Sequence, residues 1–260
     1  MLEQLYFLSK ILTISKKPAT PINGENRRAG KMYEMSKSIL KIAAATALIA
    51  GIHSLLGSRA AKEKASKLFG ERMRNGIYRP LYNGLAIVTF GALGLYGLNL
   101  PDRELYRVRG PFSRLMHSVQ FFFLLYLLYG AREIGFLRFS GVPNLVGLIT
   151  GQPFIPIEPE GQGPTLKNSR GMKVTGPFRL SRHPLNFGMI PIIWLMPRMT
   201  VNLAGFNLIT TLYLILGSVH EEKRLVETYG QAYIDYQKSE INFFLPSVAH
   251  SIGTNKKIVG

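Results

Sequence analysis

The chain has 260 residues, 47% of them hydrophobic and 18% charged, with a formal net charge of +17. So basic a balance would suggest nucleic acid, yet the basic residues fall in the links between long uncharged runs, where anionic lipid headgroups would meet them, and no basic face with interleaved aromatics emerges. With no cysteine there is no disulfide framework, no thiolate metal site, no cysteine nucleophile and no cysteine-attached haem.

Residues 1–38 read as a polar and basic extension. Its apolar stretch from Leu5 to Ile14 is broken by Ser9 and Lys10 and lacks a small-residue cleavage pattern, so it is no secretory signal. Lys16, Lys17, Arg27, Arg28 and Lys31 suit an organelle transit peptide, against which stand Glu25 and Glu34.

A membrane span needs about 20 mostly apolar residues. Ile39 to Leu56 supplies the first, with Lys41 able to snorkel outward. Leu81 to Leu100, uncharged, is the second, and its Gly84, Gly91, Gly94 and Gly97 would let a neighbouring helix approach closely. Leu115 to Leu128, extending to about Phe136, is the third. Gly141 to Ser181 is rich in Gly and Pro and reads as a loop or interfacial segment, with a further span conceivable at Val142 to Ile149. Leu185 to Gly217 is apolar again, but Met196-Pro197-Arg198-Met199 interrupts it, which predicts a hairpin of two spans. The expected fold is an all-α, multi-pass helical bundle of about five spans. The basic residues on both flanks of the first span leave the orientation rule ambiguous. The run from Arg59 to Arg79, with Lys167, Arg170, Lys173, Arg179 and Arg182, favours a cytoplasmic catalytic loop.

Two polar clusters flank the hairpin, and a hairpin returns the chain to the side it left, so they should meet at one membrane face. The inbound cluster is Gly176-Pro177-Phe178-Arg179-Leu180-Ser181-Arg182-His183-Pro184-Leu185-Asn186-Phe187-Gly188. The outbound one is His220-Glu221-Glu222-Lys223-Arg224-Leu225, followed by Tyr229-Gly230, Tyr233, Tyr236 and Phe243-Phe244-Leu245-Pro246. On one helix Glu221, Leu225, Tyr229, Tyr233 and Tyr236 would share a face. Opposite would stand Arg182 and His183, just before Pro184, a residue suited to the first helical turn. S-adenosyl-L-methionine matches such a set. Carboxylates can take its amino group or ribose hydroxyls, Arg182 its carboxylate, and aromatic rings its adenine or sulfonium. Methyl transfer needs no metal, and none is expected. Blander readings stand beside this one. Arg182-His183-Pro184 would also serve as an interfacial anchor, Glu221 to Arg224 as a solvated helix start, and the three tyrosines as an interfacial aromatic belt.

In these residues the sequence resembles the membrane methyltransferase superfamily, which includes isoprenylcysteine carboxyl methyltransferase, the phospholipid methyltransferases and methanethiol S-methyltransferase. The shared pattern is Gly-Pro-Tyr-Arg-x-x-Arg-His-Pro-x-Tyr-x-Gly, an apolar hairpin, then Glu-Glu-x-x-Leu, a Phe/Tyr-Gly-x-x-Tyr step, Tyr and a final Pro. It maps onto Gly176 through Gly188 and Glu221 through Pro246. The hairpin turn Met196 to Thr200, the stretch Thr211 to Gly217, and His53-Ser54-Leu55-Leu56, Gly70-Glu71-Arg72 and Tyr78-Arg79-Pro80-Leu81-Tyr82-Asn83 look most like methanethiol S-methyltransferase and NnrU-type proteins. The resemblance covers residues 39–246, with a catalytic part over 170–246 and a tail at 247–260.

That resemblance implies methyl transfer from S-adenosyl-L-methionine to a small thiol or a lipophilic acceptor reached through the bilayer. It implies a cofactor pocket of Gly176, Phe178, Arg182, His183, Pro184, Asn186, Gly188, Glu221, Glu222, Leu225, Tyr233 and Tyr236, with Arg182 and His183 nearest the chemistry. Phe178 and Asn186 stand where the pattern has Tyr, so two phenols are absent. The implied partners are the lipid bilayer and the methyl acceptor, with no obligate protein partner. One alternative is a haem-dependent membrane isomerase of the zeta-carotene isomerase type, similar to NnrU-type proteins, with His53 or His117 as axial ligand. Each of those histidines also suits plain helix packing. The other alternative is a non-enzymatic membrane component that keeps the fold.

Overall fold

The computed structural model describes residues 24–153, 163–166 and 172–247; the side chains discussed below begin at residue 29. The expectations on the chain before residue 24, on Lys167 and Arg170, and on the tail from residue 248 lie outside the described residues. The side chain of Lys173 does too.

Helices dominate. They are α1 (Gly24–Gly57), α2 (Arg59–Phe69), α3 (Glu71–Leu98), α4 (Pro111–Ile134), α5 (Phe136–Ser140), α6 (Val142–Thr150), α7 (Pro184–Trp194), α8 (Val201–Tyr229) and α9 (Gln231–Lys238), with a 3-10 turn at Gly176–Arg179. Four short strands, β1 (Glu104–Arg107), β2 (Thr165–Leu166), β3 (Met172–Lys173) and β4 (Arg198–Thr200), pair antiparallel as β1 with β4 and β2 with β3. The fold is an all-α bundle of an integral membrane protein. Among the described residues three stretches, Ala29–Gly57, Glu71–Leu98 and Val201–Tyr229, are long and apolar enough to cross a membrane.

Contacts fix how the helices run. Tyr82 and Tyr78 of α3 donate to the carbonyls of His53 (3.3 Å) and Leu56 (2.7 Å), so α1 and α3 are antiparallel. Gly205 of α8 lies beside Ile39, and Arg224 beside Gly57, so α8 runs parallel to α1. α4 packs antiparallel to α7: a side chain at Gly130 would strike Leu185, and one at Gly188 would strike Leu127, each at 2.8 Å. One face of the bundle therefore gathers the end of α1, all of α2, the start of α3, the end of α4, the start of α7, the end of α8, and α9. The opposite face carries β1 and β4.

The span pattern is corrected in three places. The hairpin exists, but its arms are unequal. α7 has 11 residues, with Pro191 inside it, and rises about 16 Å, half the roughly 30 Å of hydrocarbon. Val142 to Ile149 forms the nine-residue α6, too short to cross, which packs its Leu148 on Gly76 of α3. The third expected span lies in α4, which ends at Ile134 where Gly135 (φ +101°) turns the chain, close to the expected Phe136, but α4 is not among the three stretches long and apolar enough to cross. The glycines of α3 also divide. Gly97 meets Ile42 at 3.2 Å, but Gly84, Gly91 and Gly94 have open space around them.

Candidate functional site

α8 outruns its partner in the hairpin. Asn186, near the start of α7, donates to Ser218 at 2.8 Å, so the last three turns of α8 project beyond the membrane-facing part of the pair. Those turns carry Glu221, Glu222 and Leu225. Above them the chain breaks at Gly230, whose φ of +59° ends α8 at Tyr229 and starts α9 in a new direction. The single helical face expected from Glu221 to Tyr236 is thus two faces joined at a turn. Leu225, Tyr229, Tyr233, Tyr236 and Ile241 still come together, as a buried core. Burial overturns the interfacial-belt reading of the tyrosines: Tyr233 and Tyr236 are 0% exposed.

Their hydroxyls account for the burial. Tyr236 donates to the carbonyl of Phe178, and Tyr229 to that of Pro164. Burial pushes the phenols of Tyr233 and Tyr236 far above the ordinary tyrosine value, so both stay protonated donors. Tyr233 stands 3.5 Å from a Glu222 oxygen.

The inbound segment lies alongside the end of the described chain. The backbone N–H of Arg182 donates to Asn242 at 2.9 Å, that of Ser247 donates to Leu180 at 2.8 Å, and Ser181 Oγ donates to Phe244 at 2.8 Å. Ser181 Oγ also accepts from the N–H of His183 at 3.1 Å, a local side-chain-to-backbone turn that sets the histidine just before Pro184.

Here the two clusters meet. Arg182 Nε donates to Glu222 Oε1 at 2.7 Å, a charge-assisted contact, and its Nη1 reaches the carbonyls of Ile241 (2.9 Å) and Gln237 (3.3 Å). Gln237 Nε2 donates to the other Glu222 oxygen at 2.8 Å. His183, 2% exposed, sits between the acids, with Nδ1 at 3.4 Å from Glu221 and Nε2 at 3.5 Å from Glu222. The Nε2 contact is within ion-pair reach but lacks hydrogen-bond geometry, so this buried nitrogen has no hydrogen-bond partner among the described residues. Phe243 turns its ring to His183, centroids 5.0 Å apart, with the Arg182 guanidinium 5.7 Å away over it.

The remaining expected residues serve around this centre. Phe178 is buried and holds Tyr236 by its carbonyl; Pro184 opens α7 and is buried. Leu225 fills the space left by Gly163. Gly176 (φ +55°) lies against Tyr129 and Glu133 of α4, and Gly188 against Tyr126 and Leu127. These two glycines sit on the α4 side of the site. Sequence reasoning missed Gln237 and Glu133, which accepts a hydrogen bond from Thr175 and ties down the inbound turn, and it gave Ser181 no role. Gln237 lies four residues after Tyr233, a spacing that could have found it. His53 and His117 stand toward opposite faces. The first stacks on Tyr82 (4.1 Å) and the second contacts Gln120 (2.9 Å). No group of three residues suited to a metal occurs among the described residues.

The His183 imidazole responds to opposed influences. Burial lowers its pKa, and the carboxylates of Glu221 and Glu222 more than offset this, leaving it above the ordinary value of 6.5. A raised folded-state pKa gives stability that is full below the unfolded value and lost as pH rises through the folded one. Thermal stability in detergent is therefore expected to fall as pH rises above about 6.5, and His183→Gln should flatten that slope. An unchanged slope in the variant would assign the dependence to other groups.

Comparison with known proteins gives similarity over part of the chain. No family model matches it, and no solved structure does. It is 38% identical over 77 residues to the methanethiol S-methyltransferase of Pseudomonas deceptionensis, covering 30% of this chain and 29% of that protein. It is 32% identical over 69 residues to methanethiol S-methyltransferase 1 of Bradyrhizobium diazoefficiens, covering 26% and 24%, and 32% identical over 71 residues to the methanethiol S-methyltransferase of Crocosphaera subtropica, covering 27% and 28%. The matched stretch spans less than a third of each of these relatives. The similarity agrees with the resemblance carried by the motifs flanking the hairpin.

Proposed function

We propose that the protein is a membrane-embedded methyltransferase that carries a methyl group from S-adenosyl-L-methionine to a small thiol at the Arg182, His183, Glu221 and Glu222 cluster. The observation that carries this reading is the Arg182–Glu222 contact at 2.7 Å, which joins residues 40 apart across a membrane hairpin. A structural ion pair alone would not need the flanking buried His183, whose Nε2 lacks a hydrogen-bond partner among the described residues, nor the Phe243 ring beside it.

These residues fit the cofactor. The carboxylates of Glu221 and Glu222 suit its ammonium group and ribose hydroxyls, and the Phe243 ring suits its cationic or flat portion. Arg182 commits Nε and Nη1 to protein acceptors, so Nη2 is the nitrogen through which it would meet a ligand carboxylate. S-adenosyl-L-methionine would supply an electrophilic methyl group on sulfur. The chain's part is to hold donor and acceptor in line, which supplies much of the rate in a displacement of this kind.

The carboxylates of Glu221 and Glu222 raise the pKa of His183 and favour its protonated form, in which both ring nitrogens are donors. An acceptor that ionises without help suits this site, and a thiol does so far more readily than an alcohol. The names of the similar proteins point to methanethiol. The test is calorimetric binding of S-adenosylhomocysteine to detergent-purified protein, followed by methylation assays with methanethiol, longer thiols and lipophilic thiols. Binding and thioether formation are expected. Folded protein that binds no donor would end the proposal, and donor binding with no thiol methylated would end the assignment of acceptor.

A further inference from the structure

α2 joins two helices that are each long and apolar enough to cross the membrane. It begins after Ser58, whose side chain caps it, and ends at Gly70 (φ +80°), where the chain turns into α3. Tyr78 and Tyr82 meet the end of α1, so the first turns of α3 project beyond it, and α2 packs along that projection on the headgroup side of the two spans. None of its residues is buried.

Its two sides differ. Ala61, Lys62, Ala65 and Ser66 are half-covered by the bundle, while Ala60, Glu63, Lys64, Lys67 and Leu68 point away. At its end Leu68 and Phe69 are 66% and 70% exposed, and Met73, in the first turn of α3, is 46% exposed. Lys64, Lys67 and Arg72 are exposed around this apolar corner. A soluble surface gains nothing from a bare Leu-Phe pair, but an interfacial helix gains by burying it below the headgroups while its basic residues meet phosphates.

We propose that α2 and the Gly70 corner form a docking element for anionic phospholipid, with Leu68 and Phe69 inserted and Lys64, Lys67 and Arg72 on the headgroups. The occupant is a lipid leaflet, because the element is continuous with two spans and its exposed Lys64, Lys67 and Arg72 outnumber the exposed Glu63 and Glu71. Arg59 ties the same helix to Glu227 at 2.7 Å, and Arg224 Nη1 donates to Gly57 at 3.3 Å, so the element is fastened to the end of α8 just beyond Glu221 and Glu222. The candidate site and the docking element share one face, which places the site toward the leaflet richer in anionic lipid. This inference does not depend on methyl transfer.

The absence of cysteine makes the test direct. Phe69→Cys, labelled with an apolar fluorophore and reconstituted in nanodiscs, reports its lipid neighbours through quenching by brominated phosphatidylglycerol or brominated phosphatidylcholine at equal mole fraction. Stronger quenching by the anionic lipid is expected. Lys64→Gln/Lys67→Gln/Arg72→Gln should bring the two to parity with an unchanged melting temperature, each charge accounting for about fivefold in local anionic lipid. Equal quenching in the parent would overturn the proposal. So would a label that neither lipid quenches, which would mean a protein partner or a second copy covers the corner. Loss of the preference on adding inorganic phosphate at constant ionic strength would reassign the basic residues to a free anion and overturn it too.

Discussion

Glu222→Ala is expected to destabilise the protein by about 3 to 5 kcal/mol and to abolish cofactor binding. Removing one partner of a poorly exposed ion pair leaves the other charge uncompensated, a cost larger than the net worth of the pair. Here the side chains of Arg182 and Glu222 are 12% and 15% exposed, and Glu222 also receives Gln237 and neighbours the buried His183. Alanine therefore leaves the guanidinium with carbonyl acceptors only, the Gln237 amide without its acceptor and His183 with one carboxylate of two. A second variant keeps the test sharp. Arg182→Met/Glu222→Leu removes both charges and fills the space, and such replacements are often neutral or stabilising. The double variant should melt near the parent and still fail to bind S-adenosylhomocysteine in calorimetry. If it binds like the parent, the pair is a strut and the donor lies elsewhere. If Glu222→Ala melts like the parent, the Arg182–Glu222 pair contributes nothing to stability.

The second large effect concerns Tyr236. Truncation to alanine is expected to cost about 3 to 5 kcal/mol, because a fully buried ring in a packed cluster leaves a cavity its neighbours cannot fill. Tyr236→Phe should cost less, about 1 to 3 kcal/mol, since only the donor to the Phe178 carbonyl is lost and a buried acceptor is left unpaired. That carbonyl lies in the 3-10 turn leading to Arg182 and His183. Cofactor affinity in Tyr236→Phe should accordingly fall with the fit of this turn. Circular dichroism melts in detergent separate the two variants, and equal losses would show that the hydroxyl, not the ring, carries the stability.

Much of the architecture was legible in the chain itself. Apolar runs of membrane length are a one-dimensional signal, since lipid demands that a helix satisfy its own backbone; Ile39 to Leu56 falls within a helix found there, and Leu81 to Leu100 does as far as Leu98. The convergence of Arg182 and His183 with Glu221 and Glu222 was legible for a topological reason: a hairpin must bring its ends to one face. Pro197 and Arg198 gave its turn, and the turn is where β4 begins.

Only the tertiary structure decided the rest. That the hairpin's first arm is half a span long depends on where α7 ends, and an apolar sequence continues past that point without marking it. That Tyr229, Tyr233 and Tyr236 form a core and not a belt depends on Gly230, which breaks the helical period and folds α9 back onto Leu225 and Ile241. The pairing of Arg182 with the carbonyls of Gln237 and Ile241, and of Ser181 with Phe244, joins segments more than 50 residues apart through backbone oxygens that every residue carries. Periodicity and side-chain chemistry are written in the sequence; which backbone oxygen meets which donor is settled only when the chain has closed around the site.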